Sequence, residues 1–157
     1  MNRRTSILAR LDRERLAEIV IFLGAFLLAL AIAYGLAVRA EGAPLSASER
    51  AAIEKIESNG DPAAHKKDED ARGAIQIRAI YVADANRILG EERFTHDDAF
   101  DQAKAWEMFE IVTSYYIRAY GYADTFEVRC RIHNGGGKGP TRRSTLEYWR
   151  KVKEAKR

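Results

Sequence analysis

The amino-acid sequence predicts an α+β domain in which helix dominates, preceded by one N-terminal transmembrane helix or signal segment. Three observations carry this. Residues 19–38, IVIFLGAFLLALAIAYGLAV, form a run of twenty residues without a charge. At a rise of about 1.5 Å per residue the run spans roughly 30 Å, the thickness of a bilayer core. Beyond it, apolar residues recur at helical spacing in stretches bounded by caps and glycines. Between two of these stretches lies a polar segment broken by Gly and Pro, which suits a loop or a small irregular hairpin. The 157 residues suffice for one domain plus an appendage.

The apolar run has asymmetric flanks. Residues 1–18 carry Arg3, Arg4, Arg10, Arg13 and Arg15, whereas only Arg39 follows closely. The positive-inside rule then makes 1–18 a basic cytoplasmic segment and exports the rest. The run is either an uncleaved anchor in the inner membrane or a signal segment cut after Ala40 or Ala43. Its length favours the anchor, giving a single-pass protein with its C-terminal part in the periplasm. Residues 39–45 read as a linker and residues 46–157 as the folded domain.

Each helix of that domain has its own signals. Ser46 with Glu49 makes a capping box, and the helix after it carries Ala52, Ile53 and Ile56 to about Glu57. Asn59, Gly60 and Pro62 stop it, and the polar segment 59–73 follows. The AIQI stretch at 74–77 alternates weakly and suits a short strand or a helix entry. A helix follows through Ile80, Tyr81 and Ile88, stopped by Gly90. Another runs from Asp101 to Gly121 with Trp106, Phe109, Val112 and Tyr116 inward. Asp124 and Glu127 form a cap-plus-three pair before FEVRCRI, the glycine loop HNGGGKG follows, and Ser144 with Glu147 opens a last helix through Tyr148, Trp149 and Val152.

Charge narrows the partners. Residues 1–40 hold six arginines and three acids, which is the whole net charge of +3. The remainder holds twenty basic and twenty acidic side chains. A neutral domain has no global field for a polyanion, so no nucleic-acid partner is expected. Cys130 is alone, so the exported domain has no internal disulfide and its core must hold it.

Glu57 is the first candidate for chemistry. It lies four residues after Ile53, on the inward face, in the last turn of its helix. Burial and the negative end of the helix dipole both disfavour its anion. A carboxyl kept protonated near neutral pH can act as a general acid. His65, His96 and His133 lack ligand spacing, so no metal site and no cofactor are expected. GGGKG lacks the Gly-Lys-Ser/Thr ending of a phosphate loop.

Glu57-Ser58, the Gly73–Ile77 stretch with Gln76, the Asn134-Gly135-Gly136 turn and, more loosely, Tyr148 together resemble the lysozyme-like superfamily, and within it the soluble lytic transglycosylase (SLT-type) domain. The resemblance covers about residues 46–153. It departs at His133, where the family usually has Tyr, and at Ile75, where it usually has Met. It implies that Glu57 is the catalytic acid and base that cleaves the bond between N-acetylmuramic acid and N-acetylglucosamine in peptidoglycan glycan strands. The sugar's own N-acetyl group and 6-hydroxyl would complete the reaction, leaving a 1,6-anhydro product. Ser58, Gln76, His133, Asn134, Gly135 and Tyr148 would bind substrate around it. Lysozyme-type hydrolysis, as in a muramidase or endolysin, needs a second carboxylate, and Asp70 in KKDED is the first choice. A non-catalytic membrane-tethered module that binds glycan or an envelope complex is the alternative from another class.

Overall fold

A computed structural model describes residues 22–27 and 44–157. The chain divides into two compact units, Met1–Glu41 and Gly42–Arg157. In the first, residues 22–27 are helical, with Phe22, Leu23, Phe26 and Leu27 exposed. The expected segments 1–18, 19–38 and 39–45 otherwise lie almost wholly outside the described residues. Among the described residues no helix is long and apolar enough to cross a membrane. The single-pass inner-membrane placement is corrected on that finding.

The second unit is predominantly helical with one two-stranded sheet. Helix α1 (Ala47–Ser58) starts at the expected capping box: Ser46 Oγ accepts from Glu49 N at 3.3 Å, and Glu49 Oε2 accepts from Ser46 N at 3.0 Å. Asn59, left-handed at φ 57°, ends it. The polar segment becomes a hairpin, β1 (His65–Lys66) against β2 (Ala71–Arg72), in antiparallel register His65↔Arg72. Residues 74–77 are neither strand nor helix entry. They form a turn closed by one bridge between Arg72 and Ile77, with Gln76 left-handed at φ 51°.

Helix α2 (Ala79–Leu89) ends at Gly90, as the pattern predicts. A short 3-10 helix (His96–Phe100), capped by Thr95 and Asp98, was not foreseen. Asp101 caps helix α3 (Gln102–Tyr120), which Gly121 ends. Helix α4 (Phe126–Gly135) is capped by Thr125, not Asp124. The reason is Arg129, whose guanidinium takes both oxygens of Asp124 at 2.6 and 2.8 Å. The helix runs on through His133, Asn134 and Gly135, so the glycine loop begins only at Gly136. Helix α5 (Thr145–Ala155) closes the chain; Ser144 makes no side-chain cap there, and Glu147 pairs with Arg150 instead.

Helix α3 supplies the centre of the core. Trp106, Met108, Phe109 and Val112 are buried on it, and α2 and α4 pack against it. Helix α5 packs on α4 and α1, adding Val152. Each such side chain contributes about 1.5–3 kcal/mol when fully buried. The hairpin adds little apolar surface, since both residues of β1 are exposed. It is fixed at one close approach: a Cβ on Gly73 would lie 1.8 Å from the carbonyl oxygen of Ala99 in the 3-10 helix, so only glycine fits there.

Candidate functional site

The last turn of α1 delivers Glu57 to a groove of about 720 Å³. One wall is helical, with Tyr81, Asp84 and Arg87 of α2 and Val112 and Tyr116 of α3. The opposite wall is the hairpin and its turn, with Lys66, Glu69, Ala71 and Gln76. The end of α4 and the glycine loop supply His133, Asn134, Gly135 and Gly136. Tyr116 stands in this wall because Gly137 leaves it room; a Cβ there would lie 2.4 Å from the ring.

Glu57 is partly buried, with 19 % of its side chain exposed. His133 lies beneath it, Nε2 3.5 Å from Glu57 Oε1 and 3.0 Å from the carbonyl oxygen of Ile75. A carbonyl only accepts, so Nε2 carries a hydrogen, an assignment made from the bonding pattern. The other ring nitrogen, Nδ1, is buried and has no hydrogen-bond partner among the described residues. The rings of Tyr81 and Phe109 hold the imidazole in place at 5.4 and 5.3 Å. His133 is thus a buried support of the groove floor, not a surface residue at a helix end.

The hydroxyls of Tyr81 and Tyr148 are buried and unpartnered among the described residues. Burial pushes both well above the ordinary phenol range, and for Tyr148 the charge of Glu57 adds to it. Tyr148 therefore stands beside Glu57 but does not line the groove. Burial likewise pushes the Cys130 thiol far up, leaving it an inert core residue.

The other expected site residues scatter. Ser58 Oγ donates to the carbonyl of Ala74 at 2.8 Å, which ties the end of α1 to the hairpin turn. Gln76 borders the groove, but its amide turns back to donate to Gly73 O at 2.9 Å and Ala64 O at 3.4 Å. It makes no hydrogen bond to Glu57. Asn134 is exposed at the groove edge, and Gly135 accepts from Arg142 Nη1 at 3.1 Å. Asp70 is outside the groove lining. It sits left-handed at φ 44° in the hairpin turn, where Arg72 Nε donates to it at 3.0 Å and His65 Nε2 lies 2.7 Å away. Among the described residues no group of His, Cys, Asp and Glu side chains could hold a metal ion.

Sequence reasoning missed the pairing of His65 and His96 on Asp70, and the exposed Ile80 at the groove rim. The hairpin juxtaposition had no periodic signal to find it.

Neither a family model nor a curated protein matches the chain. Among solved structures, a chain of the crystal structure of Aeromonas hydrophila PliI in complex with Meretrix lusoria lysozyme is similar. The TM-score is 0.62 with 25 % sequence identity, over 72 % of this chain and 92 % of that chain. The likeness is to a protein seen bound to another protein. On that finding the reading of this chain as a peptidoglycan-cleaving enzyme is corrected, both as a lytic transglycosylase and in its second form as a lysozyme. The geometry agrees at two points. Gln76 is folded back on the hairpin, and Asp70, the carboxylate nominated for hydrolysis, is committed to hairpin cations outside the groove.

Proposed function

We propose that residues 46–157 form a lysozyme-like domain whose groove is a docking surface for another protein. The observation that carries this is the likeness over 92 % of a chain from a two-protein complex, in a molecule with an open groove of protein-segment size. The groove has the chemistry of an interface. Ile80 at its rim is 75 % exposed, the helical wall adds Tyr81 and Tyr116, and acids and bases alternate along both sides. Most of those charges are already paired: Arg87 with Asp84 at 2.5 Å, Lys66 with Glu69, and Arg78 with Glu69 at 3.7 Å. Glu57 is in no such Lys or Arg pair: His133 Nε2 lies 3.5 Å away and Tyr148 stands beside it, and its remaining lone pairs favour an incoming N–H or O–H donor.

The helical architecture with its short hairpin favours the lysozyme side of that pair, and PliI is the expected ligand. In this reading Glu57 is the acceptor at the floor. Ser58, Gln76, His133 and Tyr148 hold its surroundings, while Asn134 and Gly135 border it. The full chain is to be immobilised and offered purified PliI and, separately, purified lysozyme. Micromolar or tighter binding to either supports docking, and Glu57→Lys should then weaken it by at least about tenfold, about 1.4 kcal/mol. Binding of lysozyme in place of PliI would reverse the assigned side. Binding of neither, or release of soluble fragments from purified peptidoglycan by the chain, would overturn the proposal.

A further inference from the structure

His65 and His96 come from different elements yet face one carboxylate. Asp70 Oδ1 lies 2.7 Å from His65 Nε2, and Asp70 Oδ2 lies 3.6 Å from His96 Nδ1. The two rings are not equivalent. His96 Nε2 is 3.0 Å from the carbonyl oxygen of Ile77, which only accepts, so Nε2 carries the hydrogen. In the neutral ring Nδ1 is then a bare lone pair turned toward a carboxylate. A second proton converts that mismatch into an attractive contact. His65 needs no such change, because its neutral ring can already present Nε2–H to Asp70.

Asp70 and Ile77 bracket the stretch that carries Ala71 and Gln76 into the groove wall. His96 touches both ends from the 3-10 helix. We propose that His96 is a positioning residue for the hairpin wall, gripping it more firmly when its ring carries both protons. This rests on the docking reading, since it takes the groove as the working surface.

The charged groups around His96 permit the effect. From the hairpin, Asp70 faces it, and Asp70 in turn holds Arg72 and His65; from its own element, Asp97 takes Arg72 Nη1 at 2.6 Å. Arg72 opposes a further positive charge, but its guanidinium is shared between Asp70 and Asp97. The same guanidinium, and next His65, hold the Asp70 carboxyl below the usual carboxylate range, so the acceptor stays charged wherever a histidine titrates.

Amide hydrogen exchange on the full chain, without partner, tests this at about pH 8 and about pH 5, which span the ordinary imidazole range. Rates are corrected for intrinsic pH dependence. Amides of 71–77 in the parent should gain a few-fold protection at the lower pH, while those of α3 and α4 do not change. His96→Gln should lose that gain; its amide can still donate to Ile77, which separates the charge effect from simple loss of the contact. His65→Gln should retain it. Equal protection of the parent at both pH values, or loss of the gain in His65→Gln alone, would overturn the assignment of His96. Failure of the docking reading shows separately, as absence of binding to PliI and lysozyme with the exchange result unaffected.

Discussion

Two arginines, one behind each wall of the groove, make the same kind of contact in different surroundings. Arg129 on α4 has 3 % of its side chain exposed and joins Asp124 to Glu110. Arg72 on β2 has 21 % exposed and joins Asp70 to Asp97, whose side chains are 51 % and 85 % exposed. Behind the helical wall, the ion pairs are part of the core, and Thr113 Oγ1 lies 3.4 Å from Arg129 as well. At the hairpin wall they lie in water. The same chemistry therefore fixes one wall and only biases the other. A docking groove with one stiff and one yielding side can hold a register while adapting to a partner's contour.

Removing each arginine breaks or sharpens that contrast. Arg129→Ala leaves Asp124 without its cation and Glu110 with only Arg50, 3.9 Å away, and should cost roughly 3 kcal/mol, the low end for a buried pair because both acids are partly exposed. That is a large share of a small domain's stability, so urea denaturation should show a much lower midpoint or no folded baseline. A loss under about 1 kcal/mol would mean that the helical wall is no stiffer than the hairpin.

Gly73→Ala addresses the point where the yielding wall is attached. The new Cβ meets a backbone carbonyl at 1.8 Å and the residue sits at φ 74°, so neither space nor backbone permits it. A cost of about 2 kcal/mol is expected, with clash and left-handed strain both contributing. The amides of 65–77 should lose protection while α3 and α4 keep theirs. If the whole unit loosens together, the two walls are one cooperative body.

The helical wall was legible from sequence and the hairpin wall was not, and the two arginines show why. Trp106, Phe109 and Val112 recur on one helix face, and their burial follows from a local period. The Ser46 capping box and the Gly90 and Gly121 stops are likewise local. Asp124 misled because its competitor, Arg129, lies one turn inside the next helix; a cap motif alone does not show which donor takes the carboxylate. The contacts of Asp70 with His96 and of Gly73 with Ala99 join residues with no shared period. At the site, Glu57, His133 and Asn134 line one groove. The activity attached to their order in the chain did not follow, because a groove floor is compatible with many functions.

Arg72→Ala should have a smaller effect than either change above. Exposed pairs contribute about 0–1 kcal/mol and are screened by salt. The difference from the parent should shrink on raising salt to about 1 M, whereas the Arg129→Ala loss should persist there. Salt-independent destabilisation by Arg72→Ala would place the hairpin ion pairs in a drier setting than their exposure indicates.

Acid gives the gentlest separation of the walls. Arg72 and then His65 hold Asp70 below the usual carboxylate range, and Lys104 with the Thr95 cap pushes Asp98 down to about 2. A carboxyl with a lowered folded value contributes stability that is present above its unfolded pKa, about 3.9, and is lost as pH falls through the folded one. The hairpin and the 3-10 helix should therefore loosen together from about pH 4 toward about pH 2. Amide-resolved NMR should show residues 65–77 and 95–101 shifting first, with α3 and α4 following only at global unfolding. Asp70→Asn keeps a residue that tolerates the left-handed turn and removes the titrating charge. It should abolish the acid response of 65–77 and leave that of the 3-10 helix, which rests on Asp98. If both segments lose their response together, the hairpin does not yield on its own and the two-wall contrast fails at its softest point.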